Sequence, residues 1–161
     1  MQRAILRILV IAFITCALWI VVLASVGMSA EKFTRPFILT EYPPWRISSS
    51  YWSKRSYGYH KAVDYVVPSG TSIIAPGDGI ISLAKWVRGY GNLIIIDHGD
   101  GIQTWIAHLS EFSKLKNNKV SKGDVIGFSG QSGNSLNSPH IHLEIRKNGR
   151  KRNPALFIEM N

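Results

Sequence analysis

From Ile47 onward, glycine-bearing turns cut the chain into short β-branched segments. "AVDYVV" ends at Pro68-Ser69-Gly70, "TSIIA" at Pro76-Gly77-Asp78-Gly79, and "IISLAKWV" at Gly89-Tyr90-Gly91. "NLIIIDH" ends at Gly99-Asp100-Gly101, "IQTWIAHL" follows, and "DVIGFSG" and "IHLEIRK" close the series. Segments this short and closely spaced predict an antiparallel sheet, sandwich or barrel rather than βαβ units. Five Trp, six Tyr and six Phe are enough to build a small β core. The stretch that tolerates a helix is Leu109 to Leu115, one or two turns at most.

Within that frame, "SPHIHLEI" places His140, His142 and Glu144 in alternation with Ile141, Leu143 and Ile145. This is the period of a half-buried strand. Side chains at i and i+2 share a face, about 6.5–7 Å apart. Two such histidines either bind a metal together, divide metal binding and proton transfer between them, or lie on an ordinary surface. A second element is "HKAVD", where His60 and Asp64 stand four positions apart; an extended strand would return both to one face. The lone cysteine, Cys16, lies in the apolar N-terminal stretch, so neither an internal disulfide nor a cysteine zinc site is possible. Any metal must be held by His, Asp or Glu. A His, an Asp and a third His form a three-ligand set for Zn²⁺, and a water in the fourth position makes such a site catalytic. All five histidines, at 60, 98, 108, 140 and 142, fall in the glycine-turn region. His98, in "DHGDG", reads as a turn residue.

The beginning of the chain is different. Arg3 and Arg7 precede a charge-free run from Ile8 to Ala30, long enough as a helix to span a bilayer. Residues 1–30 read as a signal-anchor or a cleavable signal peptide, and either predicts export to the cell envelope. The two arginines favour a cytoplasmic N-terminus, with the rest facing the periplasm or wall. Residues 31–46, with Pro36, Pro43 and Pro44, read as a tether, and residues 47–161 as the functional domain. Without Arg3 and Arg7, seventeen basic residues face ten acidic ones, an exported charge of +7. Such a charge suits an anionic partner: nucleic acid, lipid or cell wall. Export selects the envelope partners and argues against nucleic acid. The densest basic run, Arg146 to Arg152, reads by itself as a solvated turn.

Over about residues 47–154 the chain resembles the lysostaphin/LytM-type zinc endopeptidases, which cut peptidoglycan cross-bridges. "HKAVD", "TWIAHL" and "SPHIHLE" carry the resemblance, and "VPSGTSIIAPGDGII" and "VSKGDVIGFSGQSGNS" match the family's turn-strand frame. It implies a mainly β, LytM-like catalytic domain, a small antiparallel sheet or barrel behind the N-terminal helix. It further implies one Zn²⁺ held by His60, Asp64 and His142, with His108 and His140 as the unliganded catalytic pair. The implied activity is cleavage of peptide cross-links in bacterial peptidoglycan, at a D-alanyl–diaminopimelate link or a glycine bridge. The chain departs from the family at Ala62, where glycine is usual, at Ile106, where tyrosine is common, in the "SGNSLNSPH" loop and at "SSSYWSKR". These bear on substrate preference; every ligand and catalytic histidine is retained. Two other readings compete. One is a non-catalytic wall-binding relative or activator of another hydrolase. The other is a biotinyl or phosphocarrier-like domain, which needs no His-x-x-x-Asp and is cytoplasmic.

Overall fold

Alternation along the chain becomes a two-faced antiparallel sheet. The computed structural model describes residues 33–36, 46–134 and 138–158. Its strands are β1 (Arg46–Ser49), β2 (Lys54–Arg55), β3 (Gly58–Tyr59), β4 (Val63–Val66), β5 (Ser72–Ile74), β6 (Gly79–Val87), β7 (Gly91–Asp97), β8 (Ile102–Phe112), β9 (Lys119–Val120), β10 (Val125–Ser129), β11 (His140–Lys147) and β12 (Arg150–Arg152). The main path runs β1-β4-β11-β8-β7-β6-β9, with β10 joining β5 to β8 and β12 beside β11. Strands β2 and β3 form a separate small hairpin.

Strand β11 lies in the middle of this path, and its two faces differ completely. Ile141 and Leu143 are fully buried in the main core with Val63, Tyr65, Ile73, Ile94, Ile106 and Ile126. Burying such side chains contributes about 1.5–3 kcal/mol each, which pins the register. That register sets His142 opposite Asp64 on β4 and opposite Ala107 on β8. A smaller apolar cluster of Leu93, Ile95 and Ala107 packs elsewhere with Leu83, Val87, Tyr90 and Trp105.

Several expectations need correction. Leu109 to Leu115 is not helical: β8 runs on through Phe112, because Leu109 is a core residue and β10 pairs along this stretch. A single 3-10 turn, Pro154–Leu156, is the helical element among the described residues. In the segment read as a tether, residues 33–36 lie against the domain. Phe33 bridges Ile158, its ring meets His98 at 4.4 Å, and Ile74 N–H donates to the Pro36 carbonyl at 2.9 Å. Gly77 makes room for the Phe33 ring, since a Cβ there would strike it. Among the described residues no helix is long and apolar enough to cross a membrane, and the helix expected over residues 1–30 lies outside them.

Candidate metal centre and histidine pair

His60, Asp64 and His142 converge by two routes. His142 and Asp64 are cross-strand neighbours, so the sheet brings them together. His60 is not on β4 at all. It follows β3, and the chain bends before β4 begins at Val63. On one extended strand, residues four apart would stand about 13 Å apart; here His60 Nε2 lies 3.3 Å from Asp64 Oδ1. Reciprocal main-chain bonds hold the bend: Trp52 N–H donates to the His60 carbonyl and His60 N–H to the Ser53 carbonyl.

Three atoms thus face one point. His142 Nδ1 is 2.8 Å from Asp64 Oδ1 and 3.3 Å from His60 Nε2. Tetrahedral donors at about 2.0–2.1 Å from zinc stand about 3.3 Å from one another. The trio has the spacing and donor chemistry of a metal site. The remaining atoms are otherwise engaged. His60 Nδ1 lies 2.9 Å from Ser49 Oγ, and Arg55 donates to Asp64 Oδ2 at 2.6 Å. Burial opposes ionisation of Asp64, but the bonds from His142 and His60 outweigh it and hold the carboxyl well below the usual range.

Behind His142 stands Glu144, completely buried. It accepts from His142 Nε2 at 3.2 Å, Tyr90 Oη at 2.9 Å, Lys151 Nζ at 2.6 Å and Arg146 at 2.8 and 3.0 Å. Burial raises this carboxyl, yet the hydrogen bonds from His142, Lys151 and Arg146 bring it down to about 2. An ionised carboxylate on Nε2–H fixes the tautomer that leaves Nδ1 for the metal position. Burial alone would lower His142; Asp64 and Glu144 on either side raise it. Arg146 and Lys151, expected in a solvated basic turn, are in part the counter-ions of this buried acid. The sequence carried no signal for Tyr90 and Lys151 here, since both reach Glu144 across tertiary contacts.

His108 arrives by an irregularity. Directly paired residues share a face, so Ala107 lies on the His142 side and Ile106 on the core side. Strict alternation would send His108 into the core. Instead His108 has φ 66°, the register against β7 shifts between Asn92 and Ile94, and Leu109 takes the core position. This bulge turns His108 toward His140, with ring centroids 4.8 Å apart, and toward His142 at 5.8 Å. His108 Nδ1–H donates to the Ser132 carbonyl at 2.8 Å, and His140 Nδ1–H to the Ser138 carbonyl at 2.8 Å. Each bond puts the proton on Nδ1 and the lone pair on Nε2. Burial, with His140 and His142 nearby, lowers His108 to about 4 despite the Ser132 carbonyl. Gly91 and Gly133 let the Ser132 loop approach, since a Cβ on either would run into the other strand of chain. A cleft of about 350 Å³, lined in part by His60, His108 and His142, opens over both groups. His98 stands apart at the end of β7, its ring nitrogens on the Asp78 carbonyl at 2.6 Å and Thr104 Oγ1 at 2.9 Å.

The chain is 45% identical over 96 residues to the DD-carboxypeptidase/endopeptidase Mpg of Neisseria meningitidis, covering 60% of this chain and 22% of that protein. It is 35% identical over 115 residues to the peptidoglycan DD-endopeptidase ShyA of Vibrio cholerae, covering 68% and 26% respectively. The chain thus spans about a quarter of the length of these relatives. The catalytic domain of lysostaphin from Staphylococcus simulans superposes with a TM-score of 0.65 at 29% identity, covering 70% of this chain and 91% of that one. Residues 58–154 match peptidase family M23, so the chain belongs to that family and its fold is LytM-like.

Proposed function

We propose that this protein is a zinc-dependent endopeptidase that cleaves peptide cross-links in bacterial peptidoglycan. The observation that carries the reading is the convergence of His60 Nε2, Asp64 Oδ1 and His142 Nδ1 within 3.3 Å, beside the His108–His140 pair and under one cleft. His60, Asp64 and His142 are the metal ligands in this reading, and His108 and His140 the catalytic pair. Zinc held there would act as a Lewis acid and activate water near neutral pH. The pair does the proton work. One ring takes the proton of the attacking water at Nε2 and becomes an imidazolium; a ring protonated at Nε2, this one or its neighbour, then donates to the developing oxyanion or returns that proton to the leaving amine. Glu144 keeps the His142 ring in place, and Arg55 keeps Asp64 turned with Oδ1 toward the metal position. The relatives named as peptidoglycan DD-endopeptidases support the substrate class. The apolar run from Ile8 to Ala30, behind Arg3 and Arg7, supports export, with the domain held at the membrane or released after cleavage.

Purified protein incubated with isolated sacculi should release soluble muropeptides, identified by mass spectrometry, and lose this activity with a chelator. A protein that binds sacculi and contains zinc yet releases nothing is a wall-binding relative instead, and the hydrolase reading fails.

A further inference from the structure

A second groove adjoins the cleft. Tyr51, Trp52, Lys61, Arg150 and Lys151 line it, with a volume of about 560 Å³, and Lys61 and Lys151 line the first cleft too. Among the described residues no acid lines this groove, although Glu144 accepts from its Lys151. Among the described residues Lys61 and Arg150 form no ion pair, whereas Lys151 is held by Glu144. The floor is aromatic. Tyr51 and Trp52 supply it; Trp52 stacks at 4.9 Å, with planes 10° apart, on Tyr59 of the first cleft, each of the two about half exposed, and the Lys61 ammonium lies 5.9 Å from the Trp52 ring. Trp52 takes a φ of 71°, an uncommon conformation for a bulky side chain. Its N–H is the group bonded to the His60 carbonyl, so the platform is tied to the proposed metal ligand. A stacked, half-exposed aromatic pair in a strained backbone, next to an active-site cleft, marks a binding surface.

The chemistry of that surface is specific. Cations without counter-ions, over an aromatic floor that excludes water from one side, select an anion; a carboxylate satisfies a guanidinium and an ammonium together. We propose that this groove is a substrate subsite for a free carboxylate of the peptidoglycan stem peptide, bound by Arg150 and Lys61. The subsite rests on the peptidase reading above. It makes the preferred substrate a peptide bearing a free carboxylate close to the scissile bond, rather than an uncharged glycine bridge.

The test uses the full chain and two probes: a cross-linked stem-peptide dimer with free carboxylates, and the same dimer with those carboxylates amidated. Binding is measured by titration calorimetry and turnover separately, so that failed hydrolysis leaves the binding result standing. The acid dimer should bind about tenfold tighter than the amide, and the preference should fade as salt rises. Arg150→Ala combined with Lys61→Ala should abolish that preference and raise KM for the acid dimer about tenfold. It should leave zinc content unchanged, and Arg150→Lys should recover part of the preference. Equal affinity of the native protein for both dimers would overturn the subsite. An equal loss of affinity for both dimers in the double variant would do the same.

Discussion

The two groups of site histidines are neighbours held by opposite means. Side-chain carboxylates and one another anchor the first group: Asp64 lies between His60 and His142, and Glu144 lies behind His142. The main-chain carbonyls of Ser132 and Ser138 anchor the second, His108 and His140. One strand, β11, contributes to both, two residues apart. The difference fits the role proposed for each group. A divalent cation is best met by an ionised carboxylate and imidazoles whose lone pairs are aimed in advance. A general base needs a neutral ring with a free lone pair, and a neutral carbonyl fixes that tautomer without charging the ring.

The largest effect should come from breaking the first group. His60→Ala, Asp64→Ala and His142→Ala should each lower bound zinc from about one per chain to background, and hydrolysis should disappear with it; metal analysis of the purified variants checks this. Full zinc occupancy in any of them removes that residue from the ligand set. Next come His108→Ala and His140→Ala, which should keep zinc and lose about 10²–10⁴ in turnover. The double variant should be little worse than either single one, because the two act together. If His140→Ala strips the metal as thoroughly as His142→Ala, the division between the groups is wrong.

Glu144→Gln sharpens the comparison, since Glu144 belongs to the support of the first group alone. Zinc affinity should fall about 10–100-fold, and activity should return when zinc is added in excess. A kcat that stays low at saturating zinc would instead tie Glu144 to the chemical step. The smallest effect concerns His98, a histidine that serves neither group. Burial lowers its pKa despite the Asp78 carbonyl, so the folded state prefers the neutral ring. Its contribution to stability is therefore present above about pH 6.5, the ordinary imidazole value, and is lost as pH falls below it. His98→Gln should flatten the decline of thermal stability between pH 7 and 5 while leaving the site intact; an unchanged slope would show that other groups carry that decline.

Much of this was legible in the chain itself. The two-residue period of "HIHLEI" determined which face of β11 is core and which carries polar chemistry, because the pleat allows no other assignment once Ile141, Leu143 and Ile145 are buried. Glycine spacing determined an antiparallel, nearly helix-free domain, and the donor types excluded a cysteine metal site. The tertiary structure decided the rest. Only a bend outside any strand brings His60 to Asp64, and only a bulge that breaks alternation turns His108 out of the core. Neither has a periodic signature, since both are departures from periodicity held by contacts distant in the chain. The alternation puts Glu144 on the polar face with the histidines but does not say what it meets there. Its burial was set by Tyr90 and Lys151, which only the folded sheet places against it, and a buried carboxylate needs such partners to stay ionised.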